Sequence, residues 1–205
     1  MENRNGNSLV LEEKRMKRNR IFWMNLVLVF ALIAGLLLPV QNVNAASKKK
    51  VLVVYFSATG NTEDAAKDVR KATGGKLYEI KAADPYTEED IDYNQKNCRA
   101  NVEQQDEKVR PEIEGKIKNI RQYDVIFVGY PIWWGKEPMI IRTFLESYNL
   151  KDKTIVPFCT SGGSGISGSI KGVKEAAKGA KVVNGKDLTN LSYTSIRKWA
   201  RKQVK

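Results

Sequence analysis

The stretch Val51–Ala72, VLVVYFSATGNTEDAAKDVRKA, decides the fold. It opens with continuous, β-branched apolar residues, which are typical of a parallel strand covered on both faces. A polar turn follows, and small apolar residues then recur at helical spacing from Asn61 to Thr73, where Gly74 and Gly75 end the pattern. The sequence therefore predicts a buried strand, a tight turn and a helix that packs one face on a sheet.

The same alternation continues along the chain. Four further strands are predicted in residues 76–83, 123–131, 153–161 and 180–188. Further helices are predicted in residues 87–105, 137–148, 167–180 and 192–204. Thr87 begins the first of these, and Asp90 stands three residues further on, in a pattern close to a capping box. Five strands alternating with helices predict an α/β fold of three layers, in which an open five-stranded parallel sheet lies between helices on both faces.

The first 45 residues predict a targeting segment. Six basic residues precede the apolar run Phe22–Val40, and small residues stand at Val43 and Ala45. This is the pattern of a signal peptide cleaved after Ala45, although the run is also long enough for an N-terminal membrane anchor. Either alternative places residues 46–205, a single predicted domain, outside the cytoplasm. The protein is then secreted or anchored to the outer face of the cytoplasmic membrane.

The domain carries an excess of positive charge. Of the 35 basic and 23 acidic residues of the chain, six and three lie in the first 45 residues, which leaves residues 46–205 with a net charge of +9. Such a surface could bind nucleic acid, anionic lipid, an acidic protein or an anionic cell wall. Outside the cytoplasm nucleic acid is the least expected of these partners, and we predict no nucleic-acid binding.

The lack of histidine narrows the chemistry. The chain has no His and two cysteines, Cys98 and Cys159. Without His there can be no His-based catalytic triad. No group of residues has the spacing of a metal site, so we also predict that the protein binds no metal. Two cysteines are too few for a disulfide framework, which leaves either one bridge or two free thiols. Cys159 is expected to be packed at the end of a strand, whereas Cys98 lies in a polar segment and could be exposed.

Three polar loops follow predicted strands, at the edge where open parallel sheets bind ligands. They are SATGNT (57–62), PIWWG (131–135) and TSGGSG (160–165). The first offers hydroxyls and the unpaired N–H groups of a helix N-terminus, which suit a phosphate. The second offers two indoles, of which one is expected to cap the core and one to stack on a flat ligand. The third brings backbone N–H groups within reach of polar ring atoms. Taken singly, each loop also fits an ordinary role as an N-cap, a core residue or a flexible connection.

These loops and the run DVIFVGYPIWWGKEP (124–138) resemble the flavodoxin family, from about Lys50 to the C-terminus. The resemblance implies a sheet with strand order 2-1-3-4-5 and the cofactor FMN. It assigns the phosphate to the first loop, one flavin face to the second and the pyrimidine edge to the third. The cofactor-binding residues that it implies are Ser57, Ala58, Thr59, Gly60, Asn61, Thr62, Pro131, Ile132, Trp133, Trp134, Gly135, Thr160, Ser161, Gly162, Gly163 and Ser164.

The chain departs from this family in three respects. It is basic, it has no aromatic residue in the third loop and it carries a predicted export segment. A basic domain disfavours the anionic, two-electron-reduced flavin less than an acidic domain does. We therefore expect a less negative second reduction potential than is usual for the family.

Two functions of different kinds fit the sequence. The first is an FMN-binding electron carrier that acts with a redox partner protein or a small-molecule acceptor. The second is an FMN-dependent NAD(P)H:quinone or small-molecule oxidoreductase, in which Tyr86 or Tyr93 could reach the flavin ring. A binding module that has lost FMN is a third alternative, against which the intact phosphate loop argues. No catalytic acid, base or nucleophile is assigned, and the membrane is a partner through the N-terminal segment if that segment is retained.

Overall fold

The computed structural model describes residues 13–20 and 48–205. Residues 13–20 form helix α1, in which Lys17 pairs with Glu13 at 3.0 Å. The rest of the predicted targeting segment, with its apolar run, lies outside the described residues. Among the residues that are described, no helix is long and apolar enough to cross a membrane. Residues 48–205 form one compact unit.

This unit is built on a parallel sheet. Its strands in chain order are β1 (Val51–Tyr55), β2 (Lys76–Glu79), β3 (Lys81–Ala82), β4 (Ile113–Glu114), β5 (Val125–Pro131), β6 (Thr154–Thr160), β7 (Lys181–Val182) and β8 (Lys186–Asp187). The main sheet has the order β2-β1-β5-β6-β7 with all neighbours parallel, and β8 pairs with β6 further along. Strands β7 and β8 are thus two parts of one interrupted fifth strand, and the predicted order 2-1-3-4-5 is confirmed.

Five helices flank or border the sheet. They are α2 (Asn61–Thr73), α3 (Arg99–Gln105), α4 (Met139–Glu146), α5 (Ile170–Ala176) and α6 (Tyr193–Gln203), with single 3-10 turns at Glu89–Ile91, Ile120–Gln122 and Ser167–Ser169. Helix α2 lies between two left-handed glycines, Gly60 (φ 88°) and Gly74 (φ 72°), so its predicted bounds are confirmed. Pro138 is the N-cap of α4.

The helix predicted over residues 87–105 is the main error in the sequence-based assignment. The capping box forms, with the Thr87 amide donating to Asp90 Oδ2 at 2.9 Å and the Asp90 amide to Thr87 Oγ1 at 3.2 Å. Only one 3-10 turn follows, because the Asp92 carboxylate accepts from the amide of Asn94 and from the side chains of Asn94 and Gln95. Such local bonds compete with a helix, and α3 starts only at Arg99.

Two predicted strands are also interrupted. The second strand ends at Glu79, and the chain then turns to pair β3 with β4 in an antiparallel ladder. The fifth strand breaks between Val182 and Lys186. Gly185 lies in this gap against strand β6, where an added Cβ would come within 2.7 Å of the Pro157 carbonyl oxygen.

The core has two halves, one on each face of the sheet. Alternate residues of β1 and β5 point to opposite sides, so that Leu52 and Ile126 join helices α4 and α5, while Val53 and Phe127 join α2 and α6. This two-sided burial explains the continuous apolar strands and confirms the three-layer α/β architecture. The three loops predicted to bind a ligand, residues 57–62, 131–135 and 160–165, all lie at the carboxyl edge of the sheet.

Candidate functional site

A cavity of about 550 Å³ lies at the carboxyl edge of the sheet. Eight of the sequence-predicted site residues line it: Thr59, Asn61, Pro131, Ile132, Trp133, Thr160, Ser161 and Gly162. Ser57 and Ala58 instead line a second cavity of about 360 Å³ on the other side of the first loop. The remaining predicted residues, Gly60, Thr62, Trp134, Gly135, Gly163 and Ser164, line neither cavity. The structure therefore brings all three loops to one cavity, but not every residue of each loop.

The first loop is shaped by its own hydroxyls. The Gly60 amide donates to Ser57 Oγ at 3.1 Å, and the Asn61 side-chain amide donates to Thr59 Oγ1 at 3.2 Å. Gly60 precedes α2 in a left-handed conformation, and no side chain caps the helix. The first-turn amides of a helix have no acceptor within it, so the N-terminus of α2 presents free N–H donors beside the cavity. Together with the positive end of the helix dipole, these donors suit an anion.

A hydroxyl pair ties the first loop to the third. Thr62 Oγ1 and Thr160 Oγ1 lie 2.7 Å apart, and only 1% of Thr62 is exposed. The Thr62 side chain therefore holds the start of α2 against the end of β6. Its contact with a phosphate stays a prediction.

The second loop is a tight turn clamped from outside. Trp133 and Lys136 exchange two backbone hydrogen bonds of 3.0 Å. Trp134 (φ 47°) and Gly135 (φ 79°), the central residues, are both left-handed, as in a type I′ turn. The Gln104 side chain on α3 donates to the carbonyl oxygens of Trp133 at 3.0 Å and Glu137 at 3.1 Å. This amide fixes both ends of the turn.

The two tryptophans have different roles. Trp133 is 3% exposed and packs edge to face against Phe56 at 5.5 Å and Tyr86 at 5.1 Å, measured between ring centroids. The expectation that one of the pair caps the core is confirmed for this residue. Trp134 is 37% exposed, but it does not line the cavity.

Tyr93 is a further aromatic residue at the site. It lines the cavity, and its ring lies on that of Trp134 with centroids 4.5 Å apart and planes inclined by 29°. Its hydroxyl donates to the Ile132 carbonyl oxygen at 3.2 Å, which fixes the direction of the ring. Burial raises the pKa of this phenol, so the hydroxyl remains a donor at neutral pH. The sequence offered Tyr93 only as one of two tyrosines in a long polar segment.

The third loop is organised by residues that the sequence interpretation missed. Ser161 Oγ donates to Asp187 Oδ2 at 2.6 Å and accepts from the amides of Gly163 at 3.2 Å and Gly165 at 3.1 Å. Thr189 Oγ1 donates to Asp187 Oδ1 at 2.5 Å and accepts from the Ser161 amide at 2.8 Å. The sequence did contain a signal for these residues. Asp187 and Thr189 stand at the carboxyl end of the fifth strand, where a fourth loop of the site is expected.

The Asp187 carboxyl is held ionised by this network. Burial raises its pKa, but the hydrogen bonds from the Ser161 hydroxyl and from the hydroxyl and amide of Thr189 outweigh burial, and the pKa lies below its ordinary value. The third loop is therefore anchored to a carboxylate at neutral pH.

The charges at the cavity are acidic. Asp64 and Asp68, both on α2, line it, and none of the lining residues within the described part of the chain is Lys or Arg. Lys67 partly offsets the first of these, with its Nζ 3.3 Å from Asp64 Oδ1. Binding of an anion here rests on hydroxyls and backbone amides, as the sequence of the first loop indicated.

Both cysteines are free and buried. Cys98 is 5% exposed, so the suggestion that it lies open in a polar segment is wrong. It is the N-cap residue of α3. Burial raises the pKa of the Cys159 thiol well above its ordinary value, which leaves that thiol protonated and unreactive at neutral pH.

Fold and site together define an open-sheet α/β protein with an uncapped helix N-terminus beside a cavity of about 550 Å³ at the strand ends. The sequence profile described as flavodoxin matches residues 50–203. The chain therefore belongs to the flavodoxin family.

Solved structures agree with this assignment. A candidate flavoprotein from Bacteroides eggerthii is 47% identical, with a TM-score of 0.72 over 75% of this chain and 97% of that one. A candidate flavoprotein from Bacteroides uniformis is 42% identical, with a TM-score of 0.72 over 75% of this chain and 98% of that one. A flavoprotein from Lactobacillus acidophilus, solved in complex with FMN, is 26% identical with a TM-score of 0.58, over 74% of this chain and 99% of that one. A comparison with curated proteins finds no match.

Proposed function

We propose that this chain binds FMN and transfers electrons outside the cytoplasm. The observation that carries the proposal is the convergence of three loops on one cavity of about 550 Å³, beside the uncapped N-terminus of the 13-residue helix α2. This volume lies within the usual range of cofactor sites. The FMN complex of the Lactobacillus acidophilus relative supports the choice of ligand.

The residues present fit each part of FMN. The phosphate would be held by the Thr59 and Asn61 side chains and by the first-turn amides of α2, which supply donors without a cationic side chain. The polar edge of the ring would meet the backbone of Ser161 and Gly162, because the Asp187 network holds this loop in shape. Tyr93 would stack on the ring, since it is the aromatic side chain that lines the cavity with a partly exposed face.

The protein's part in the chemistry is positioning. When bound, FMN supplies the electron-transfer chemistry. The Gln104 clamp and the Thr62–Thr160 hydroxyl pair fix the walls of the cavity before a ligand arrives, so that little ordering accompanies binding. Trp133 excludes water from the inner end of the cavity through its contacts with Phe56 and Tyr86.

The location outside the cytoplasm rests on the N-terminal sequence. A basic stretch, the apolar run Phe22–Val40 and the small residues Val43 and Ala45 support export. Cell fractionation with N-terminal sequencing of the mature protein tests this part separately. Recovery of the protein in the cytoplasmic fraction with an intact N-terminus would contradict it.

A reconstitution experiment tests the cofactor and the role. Purified residues 46–205 are titrated with FMN and followed by flavin fluorescence, and the loaded protein is then mixed with NADH or NADPH and a quinone. We expect saturable one-to-one binding and no sustained turnover, as befits a carrier. Sustained oxidation of the nicotinamide would favour the reductase alternative. A protein that stays colourless with FMN would refute the proposal as a whole.

A further inference from the structure

The amino ends of the strands, opposite the cavity, form a strongly basic surface. Six segments meet there: residues 48–50 before β1, the start of β2, residues 121–124 before β5, residues 151–153 before β6, residues 178–181 before and in β7, and residues 201–205 in the last turn of α6 and after it. They carry twelve cations: Lys48, Lys49, Lys50, Lys76, Arg121, Lys151, Lys153, Lys178, Lys181, Arg201, Lys202 and Lys205. Their acidic side chains are two, Asp124 and Asp152. This set of segments is called the basic end below.

The basic end accounts for the whole charge excess of the domain. Residues 48–205 contain 29 basic and 20 acidic side chains, as do residues 46–205. Without the basic end, 17 basic and 18 acidic side chains remain, which is close to neutral. The positive charge is therefore concentrated on one end of the molecule.

Contacts between the segments show that the basic end is continuous. Lys49 Nζ donates to the Lys205 carbonyl oxygen at 2.6 Å, and Lys153 Nζ donates to the Arg121 carbonyl oxygen at 2.7 Å. The Lys181 amide donates to the Lys153 carbonyl oxygen at 2.8 Å. The Asp124 amide donates to the Lys50 carbonyl oxygen at 2.9 Å and joins these two groups of contacts. The segments before β1, β5, β6 and β7 and the C-terminus are thus neighbours in space.

These cations are available to a partner. Eleven of the twelve are exposed and Lys153 is partly exposed. Within residues 13–20 and 48–205, none of their side chains forms an ion pair with an Asp or Glu side chain, whereas Lys67, Arg99, Arg110, Lys136 and Arg142 elsewhere do. Unpaired like charges held close together repel one another, so that an anionic partner stabilises them.

We propose that the basic end binds the anionic headgroups of a lipid membrane. The cations are spread over six segments and line neither of the two cavities, which suits an extended charged surface better than a single acidic side chain or peptide. The chain also leads from the basic end towards an apolar segment. Seven residues separate Val40, the end of the apolar run, from Lys48, and they span at most about 25 Å. In the anchored form, which retains this run, a membrane is the anionic partner that lies near the basic end.

This binding leaves the cavity free. The central strands β5 and β6 have seven residues each, so about 20 Å separate the basic end from the carboxyl edge of the sheet. The surface and the cofactor site are therefore independent, and the inference holds whether or not FMN is bound.

The test is vesicle co-sedimentation of residues 48–205, which lack the apolar run. The Bacteroides eggerthii structure, 97% of which is matched by this domain, shows that the fold needs no such segment. Vesicles contain equal parts phosphatidylglycerol and phosphatidylcholine, or phosphatidylcholine alone. We expect binding to the anionic vesicles only, weakened by added salt.

Two matched variants locate the surface. K48Q/K151Q/K178Q/K202Q removes four cations of the basic end, and K96Q/K108Q/K171Q/K174Q removes four exposed cations elsewhere, so that both have the same net charge. We expect the first to bind anionic vesicles at least about tenfold more weakly and the second to bind nearly as the parent does.

Equal loss in both variants would overturn the proposal, because net charge alone would then be responsible. Equal binding to both kinds of vesicle would overturn it as well. Tighter binding to soluble poly-glutamate than to anionic vesicles would assign the surface to an acidic protein instead. Circular dichroism and thermal unfolding establish that each variant is folded, so that a loss of binding is not a loss of structure.

Discussion

Replacing Tyr93 by leucine tests the assignment of the stacking residue. Tyr93 lines the cavity with its ring on Trp134 and its hydroxyl on the Ile132 carbonyl oxygen. An aromatic pair contributes about 0.5–1.5 kcal/mol beyond area burial, and leucine keeps most of the apolar area. Since 1.4 kcal/mol is a factor of ten, the Kd for FMN should rise about two- to twelve-fold. Titration of the apoprotein, followed by the quenching of flavin fluorescence, measures it.

The control for this prediction is Tyr93→Phe, which keeps the ring and removes one neutral hydrogen bond. We expect its affinity to stay close to that of the parent and the quenching of bound flavin to be retained. Tyr93→Leu should quench flavin less at saturation, a signal that a general loosening of the loop does not produce. If Tyr93→Leu binds FMN as tightly as the parent, with the same quenching, the ring does not stack there. The parent's failure to bind FMN would instead refute the proposed function.

Three further predictions concern the scaffold of the site. Gly129→Ala places a Cβ 2.2 Å from Cζ of buried Phe158 and should lower the free energy of unfolding by about 1–3 kcal/mol. Calorimetry should then show a fall in Tm of roughly 2–12 °C, and an unchanged Tm would contradict this packing. Thr62→Val removes the hydroxyl bond to Thr160 and should lower the free energy of unfolding, measured by denaturant titration, by about 1 kcal/mol. The loss in the double variant Thr62→Val/Thr160→Val should differ from the sum of the two single losses, whereas strict additivity would show that the two hydroxyls do not interact. The lowered pKa of Asp187 implies a stabilising contribution that is complete above the unfolded value of about 4 and is lost as the pH falls through the lower folded value. Stability curves from pH 2 to 7 should therefore fall less steeply on the acid side for Asp187→Asn, and parallel curves would speak against it.

The fold was accessible from the sequence because the apolar pattern and the turns agree. Continuous β-branched runs such as Val51–Val54 predict strands buried on both faces, and glycines at both ends of α2 set its length. The loops of the site followed from topology, since the carboxyl ends of parallel strands share one edge. The helix predicted over residues 87–105 was wrong because the Asp92 carboxylate accepts local hydrogen bonds that compete with a helix.

The details of the site depend on contacts between distant residues. Nothing in the sequence brings Tyr93 to Ile132, 39 positions away, or Ser161 to Asp187, 26 positions away. Which tryptophan is buried was also decided by packing, with Trp133 enclosed between Phe56 and Tyr86. Periodicity says which residues face the core, but it does not say which side chains from different loops meet.

The net charge of the domain does not describe the charges near the cavity. The net charge of +9 led us to expect a less negative second reduction potential, but the excess lies at the basic end, about 20 Å from the cavity. Exposed charges at that distance are screened, since the Debye length is about 8 Å at physiological ionic strength. The carboxylates of Asp64 and Asp68 are nearer, so the potential should depend more on these local charges than on the net charge. The expected second potential stays a prediction.

The separation of charge also makes the domain an electric dipole along its strands. In the field of an anionic surface such a body turns before it touches, with the basic end leading and the cavity trailing. Most molecules would then reach the surface with the basic end first, and encounters through the other faces of the domain would be fewer. The mouth of the cavity, bordered by Asp64 and Asp68, would face the surrounding medium. A cationic partner that diffuses there would be guided to the cofactor by the opposite pole of the same molecule.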